Sequence, residues 1–450
     1  SANLEKTMQD LVLKAGFGRT DITPELGTYL TGYGDYDRPA EKVLDPLHAT
    51  AIVLEQGGKC AAIVALDWCF VCEQHTNTIR QAITEKTGLT PEHIQLSCSH
   101  THSAPHTRLR KTISGGVSHI ENGRAYVVSI IPKIVEAVQQ ACDSLTSCKV
   151  GFAQTESLTG VNRRAVHVDG AVSFEGGPDD VFDSTMTVVH FKDAASGDNR
   201  GIIVHYGAHN TALGATREVS RDWCGIMKDR VESQFKAPVL FLNGSEGDTG
   251  PRTNVVRPSG RLNAGGGDGI ESAREVGYRA ATDAIRALIS IREFRRELPL
   301  SVRTFNLDLL YQKLPTTEEA LEMRKTEGVM RDYADMVLAI ADQPVRTALN
   351  FRMTIIALGP LAILPLPGEV FSSISLRLRG ASPFQHTLVC SQSNGTNAYI
   401  TDREGVARGG YEIKTRLRFG PYIFVDDIDD VIVKNGSDFL VQIEKEHGAG

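Results

Sequence analysis

An unpaired polar side chain is costly inside a sheet, so an apolar run that ends in a cluster of histidines limits where its strand can lie. Ile94-Gln95-Leu96 is such a run, and it leads into Ser97-Cys98-Ser99-His100-Thr101-His102-Ser103-Ala104-Pro105-His106. Pro105 forces the extended chain into a loop. On an extended backbone, imidazoles at i and i+2 point to the same side. Two rings so placed can hold one metal, or one can hold it while its neighbour moves protons. A polar loop decorated with histidines has the same composition, and the stretch alone does not separate the readings.

The 450 residues are enough for a large buried core, and 41% hydrophobic with 23% charged residues is ordinary for a globular enzyme. A net charge of −7 argues against nucleic acid as the main partner. No run approaches the roughly 20 apolar residues needed to span a bilayer. The first residues, Ser1 to Lys6, lack the apolar core of an export signal. Eight cysteines include one Cys-x-x-Cys pair, Cys69 and Cys72. A zinc knuckle needs a second pair, and a thioredoxin-like redox pair is the sharper alternative. The set reads as buried thiols in a reducing compartment, hence a cytoplasmic protein.

Further apolar runs also end in polar residues. Ala49–Leu54 and Ala61–Leu66 form a hairpin through Gln56-Gly57-Gly58, and Asp67 closes it. Carboxylates at strand ends often carry chemistry in α/β proteins, although a cap has the same position. Gly201–Tyr206 runs into Gly207-Ala208-His209-Asn210-Thr211, where glycine lets the backbone turn and present the ring. Phe241-Leu242-Asn243 precedes Gly244-Ser245-Glu246-Gly247-Asp248-Thr249-Gly250-Pro251-Arg252, which lacks the end of a phosphate loop. It reads as a tight turn exposing backbone N–H groups. Met353–Leu358 and Leu361–Leu366 form another hairpin, and Glu369 after Pro367-Gly368 starts a helix.

Helices are expected over 73–86, 122–145 with a kink or restart at Pro132, from 220–222, over 271–289, and over 427–446. Thr316-Thr317-Glu318-Glu319 is a capping box, and 323–337 a charged, solvent-facing helix. Residues 11–13 form a short strand followed by loop, and 253–269 form a lid-like loop. No repeat or low-complexity linker appears. Mixed β-sheets layered with helices, an α/β fold in a single large domain over residues 1–450, are therefore expected.

Together these segments resemble the neutral/alkaline ceramidase family, zinc-dependent amidases with an N-terminal catalytic domain. The resemblance rests on an ordered set: Gly32-Tyr33, Val43-Leu-Asp-Pro-Leu47, Leu66-Asp67, Ser99-His-Thr-His-Ser103, Asn162-Arg163, His209-Asn-Thr211, Gly247-Asp248, Leu366-Pro-Gly-Glu369, and Tyr399 with Tyr411. It implies one zinc per chain, held by His100, His209, Glu369 and Tyr399. It also implies a site lined by His102, Arg163 and Tyr411.

Two departures stand out. Glycine, at Gly250, occupies the position of a serine proposed as the family's nucleophile. A counterpart of the family's C-terminal immunoglobulin-like domain is not expected within these 450 residues. The resemblance therefore implies hydrolysis of an amide (N-acyl) bond by a metal-activated water, without specificity for ceramide. His102 would act as general base and acid, and Arg163 and Tyr411 as oxyanion donors. Asp67, Asp222 and Asp248 are candidates to orient the ligand imidazoles, with caps or ion pairs as the plain alternative. His106 and His205 are read as structural. Arg108, Arg110 and Lys111 read as solvated charge or as a preference for a polar, anionic substrate. An esterase or lactonase shares the mechanism, and a ligand-binding relative without catalysis is the non-enzymatic alternative. The partner in every case is a small-molecule substrate.

Overall fold

The computed structural model describes residues 11–33, 37–109, 117–177, 181–254 and 269–447. Most of the loop expected over 253–269 lies outside the described residues, as do Arg110 and Lys111.

Strand β1 (Lys14–Asp21) pairs antiparallel with β2 (His48–Gln56), which turns back into β3 (Lys59–Leu66) as the expected hairpin. Helix α1 (Glu73–Thr87) ends at the left-handed Gly88 and delivers the chain to β4 (Ile94–Cys98), parallel to β3. Helix α2 (Val117–Asp143) and strands β5 (Thr146–Glu156), β6 (Gly160–Val166), β7 (Val172–Gly177), β8 (Thr185–Asp193) and β9 (Asn199–Tyr206) follow. Helix α3 (Asp222–Phe235) crosses over to β10 (Val239–Asn243), parallel to β9. One sheet of eight strands results, in the order β10-β9-β8-β5-β1-β2-β3-β4.

After β11 (Thr249–Pro251) and α4 (Ile270–Ser290), a second sheet is built. It uses β12 (Leu300–Leu310), β13 (Ala348–Leu358), β14 (Leu361–Pro365) and, beyond α5 (Ser372–Ala381), β15 (His386–Cys390), which runs parallel to β14. Helix α6 (Ile428–His447) closes the chain.

The two sheets pack face to face. Ile52, Ile63, Ile203 and Leu240 of the first meet Leu300, Ile356, Ile363 and Leu388 of the second in one core. The opposite face of the first sheet is covered by α1 and α2 over Ala51, Val64 and Leu96, and by α3 and α4 over Val204 and Phe241. Helices α5 and α6 cover the outer face of the second. Both faces of each sheet are thus buried, which explains the near-continuous apolar runs of β3, β9 and β14. The fold is the expected α/β type, in four layers: helix, sheet, sheet, helix.

Four local expectations change. Residues 14–21 are strand, not loop: a Cβ on Gly16 or Gly18 would meet the carbonyl oxygens of Ala141 or Ala137 at 1.8 and 2.0 Å, so glycine here admits α2 onto the sheet. Helix α2 passes Pro132 without a restart. The carbonyl that Pro132 leaves unbonded belongs to Val128, whose side chain is 65% exposed, and solvent is at hand for it. Residues 323–337 form the end of one short helix, Thr317–Met323, and a second, Val329–Leu338, whose Tyr333, Ala334 and Val337 are buried. The capping box at Thr316 is present. Glu369 lies in a two-stranded ladder, Glu369–Val370 against Tyr399–Ile400, and the helix begins only at Ser372.

Candidate metal centre

Three strands with parallel neighbours end on one side of the molecule, and each is followed within a few residues by a side chain of the centre. His100 follows β4, His209 follows β9, and Glu369 follows β14. The carboxyl ends of parallel strands are where open α/β sheets gather ligands. A bridge between Thr101 and Asn210 aligns the two histidine segments, and the His102 N–H donates to the Asn210 carbonyl at 3.4 Å.

His100 is not on extended backbone: its φ is +65°. The premise that i and i+2 share a strand face therefore fails, because the strand ends at Cys98. A left-handed turn at His100, of the kind stored at functional sites, brings the rings together instead. His102 Nε2 lies 3.3 Å from His100 Nε2.

His100 Nε2 stands 3.0 Å and His209 Nε2 2.9 Å from the same Glu369 Oε1. The other nitrogen of each ring is fixed by a main-chain carbonyl. His100 Nδ1 lies 2.8 Å from Cys69 O, and His209 Nδ1 lies 2.7 Å from Glu246 O. Carbonyls only accept, so each Nδ1 carries the proton and each Nε2 presents its lone pair. Two lone pairs then face a carboxylate oxygen, an arrangement of three acceptors that a proton or a cation must bridge. Ligands on a tetrahedral zinc stand roughly 3.3 Å apart, slightly wider than these separations. The donor set of two imidazole nitrogens and a carboxylate suits zinc, and all three side chains are buried.

For His209 and His102 the titrations agree with that layout, while at His100 they place the bridging proton on the ring. Burial pushes His209 down to about 3 and, with the neighbouring imidazoles, holds His102 well below the usual range. Burial also opposes charge on His100 and Glu369, yet Cys69 and then Glu369 outweigh it at His100, and His100 and then His209 outweigh it at Glu369. His100 is raised and Glu369 held far down.

Tyr399 is the direct cross-strand neighbour of Glu369 in the parallel ladder, so the two side chains share a face. Its hydroxyl accepts from Arg163 Nη2 at 2.7 Å, and its ring lies 6.5 Å from that of His209. Arg163 also donates to Gly247 O and, through Nε, to Glu412 at 3.0 Å. Tyr411 is 45% exposed, its ring 6.4 Å from that of Tyr399.

The three aspartates do not touch the imidazoles. Asp67 accepts from His48 N and lies 3.6 Å from Lys228 Nζ. Asp222 accepts from Ala212 N and Leu213 N and so fixes the loop after His209. Asp248 accepts from Ser372 N and Oγ, which caps α5 just beyond Glu369. Asp222 and Asp248 each steady a segment that carries a ligand, Asp67 ties a strand to a buried lysine, and carbonyl groups orient the rings. The turn after β10 likewise spends its N–H groups on main-chain carbonyls: Gly247 N donates to Val370 O and Thr249 N to Glu246 O. Its carbonyls face the site instead, Thr249 O receiving His209 N.

Sequence reasoning missed Glu412, which is buried between Arg163 and Arg164, and Glu246, buried behind His209 with Oε2 lacking a partner among the described residues. It also passed over Tyr33, whose ring meets His102 at 5.1 Å, and Arg38, which donates to His102 O at 2.7 Å. Glu412 adjoins Tyr411, and Tyr33 sits in Gly32-Tyr33, so adjacency to quoted motifs was the available signal. Cys69 and Cys72 are free thiols, as are the other six cysteines; Cys69 Sγ lies 3.5 Å from His100 Nδ1. Cys69, His100 and His102 form a second group with metal-ligand spacing. Its sulfur faces the His100 nitrogen already held by the Cys69 carbonyl.

Among known proteins, residues 13–261 match the family model described as neutral/alkaline non-lysosomal ceramidase, N-terminal. The crystal structure of neutral ceramidase from Pseudomonas aeruginosa is similar at 18% identity and a TM-score of 0.73, over 97% of this chain and 75% of that one. A ceramidase complexed with C2 is similar at 18% identity and a TM-score of 0.72, over 97% and 76%. At that identity the likeness is one of fold. No curated protein sequence matches this chain.

Proposed function

This chain belongs to the neutral/alkaline non-lysosomal ceramidase family, and from that premise we propose that it is a zinc-dependent hydrolase of N-acyl amides. Family membership supports an amide-bond hydrolase of the ceramidase type. Zinc dependence is our own reading. The observation that carries it is the meeting of His100 Nε2 and His209 Nε2 on Glu369 Oε1, at 3.0 and 2.9 Å, from three distant parts of the chain.

His100, His209 and Glu369 would hold the ion, with Tyr399 beside them as the fourth ligand. When bound, zinc supplies Lewis acidity at the scissile carbonyl and activates water at neutral pH. His102 is the proton carrier: buried and neutral, it directs Nε2 toward the ligand cluster and accepts a proton there. Arg163, fixed by Glu412 and bonded to Tyr399, keeps positive charge where the tetrahedral oxyanion develops. Tyr411, partly exposed beside Tyr399, donates to the same oxygen from the solvent side. Ceramide selectivity is not part of this reading, since Gly250 stands in place of the family's serine. Cytoplasmic residence belongs to the same proposal and is supported by eight free thiols. Among the described residues no helix is long and apolar enough to cross a membrane.

A panel of N-acyl amides, matched esters and lactones tests the proposal. We expect amide turnover that chelation abolishes and zinc restores. Turnover unchanged after zinc removal contradicts it.

A further inference from the structure

Outside the metal centre, the buried Arg108 guanidinium stands without acceptors among the described residues. Arg108 is 8% exposed, and its Nε and Nη2 have no hydrogen-bond partner among the described residues. Its guanidinium carbon lies 4.0 Å from the ring centroids of both Phe70 and Phe419. Cation–π contact on two faces offsets part of the cost of burial but satisfies none of the N–H groups. Nε–H and Nη2–H lie side by side on one edge, the edge that takes both oxygens of a carboxylate.

The same two rings locate this edge relative to the centre. Phe70 is 6.3 Å from the ring of His100, and Phe419 is 6.3 Å from the ring of Tyr399. The guanidinium is thus one aromatic ring away from two members of the inferred zinc site. Arg108 also lines a cavity of about 230 Å³ together with Arg346 and Arg418, against one carboxylate, Glu73. The lining therefore carries a surplus of positive charge.

We propose that this cavity receives a carboxylate of the substrate and that Arg108 anchors it. The amide cleaved next door is then that of an N-acyl amino acid, its carboxylate a few bonds from the scissile carbonyl. The proposal rests on the amide-hydrolase reading for its chemistry but not for its binding. Both guanidinium nitrogens are closed to solvent while the rings cover them. Phe70 is buried and Phe419 only half-buried, so Phe419 is the ring that yields to the incoming anion.

The test pairs N-octanoylglycine with N-octanoylethanolamine, a neutral amide of the same length. We expect the zinc-loaded protein to bind the glycine conjugate at least tenfold more tightly by titration calorimetry, and to hydrolyse it with a kcat/KM at least tenfold higher. Arg108→Gln should bring both ratios to within about twofold of unity. Arg346→Gln, at the exposed rim, should lower them several-fold and serves if the buried variant does not fold. Equal binding of the two amides by the wild-type protein overturns the proposal, as does a ratio that survives Arg108→Gln. A binding preference without hydrolysis of either amide keeps the anchor and refutes the hydrolase. Hydrolysis of both at equal rates with equal binding does the converse.

Discussion

Glu369→Gln keeps the shape of the side chain and removes the charge that the two imidazole nitrogens face. An amide oxygen is a much weaker zinc ligand than a carboxylate, so we expect zinc affinity to fall at least about 100-fold, measured by competition with a chromogenic chelator. Unchanged affinity would remove Glu369 from the ligand set. Glu412→Ala tests a different cost. It leaves Arg163 and Arg164 buried without their shared carboxylate, and breaking a buried pair costs about 3–5 kcal/mol. A denaturant midpoint within error of the wild type would refute that accounting. At this scale the sequence was informative about residue type and poor about partners. His100, His102, His209 and Glu369 stood out as chemistry at strand ends. The carbonyls of Cys69 and Glu246 that set the tautomers carry no signal in any side chain.

Among the elements, parallel crossovers do most of the positioning. Helices α1, α3 and α5 each return the chain so that a strand end arrives beside its parallel partner. The short ladder pairing Glu369 with Tyr399 then sets two candidate ligands side by side. The hairpins, the capping box and the long helices were legible, because apolar periodicity and turn residues are local properties. Strand β1 was not, since Gly16 and Gly18 look like loop punctuation until α2 lies against them. Gly18→Ala should accordingly destabilise the protein by about 3 kcal/mol or more, seen as a drop in Tm. A tolerated substitution would mean that helix and sheet are not in close contact there. The Glu369 ladder was hidden for a similar reason, as two residues of strand cannot announce a partner thirty positions away.

For the molecule as a whole, the four-layer packing buries many titratable groups, and acid should expose the cost. Burial pushes His48, His106 and His190 down to about 4 from 6.5. The unfolded chain takes up those protons more readily than the folded one. The stability these three rings contribute is therefore full above about pH 6.5 and is lost as the pH falls toward 4. Urea midpoints of the chelator-treated protein should decline over that window. A flat profile would show that these rings are hydrated.

The zinc K-edge absorption spectrum of the loaded protein bears most directly on the centre itself. The account predicts one zinc per chain with only nitrogen and oxygen neighbours at about 2.0–2.1 Å and the outer-shell signature of two imidazoles. A sulfur neighbour at about 2.3 Å, as the Cys69 group would give, or zinc binding that is not stoichiometric, would contradict it.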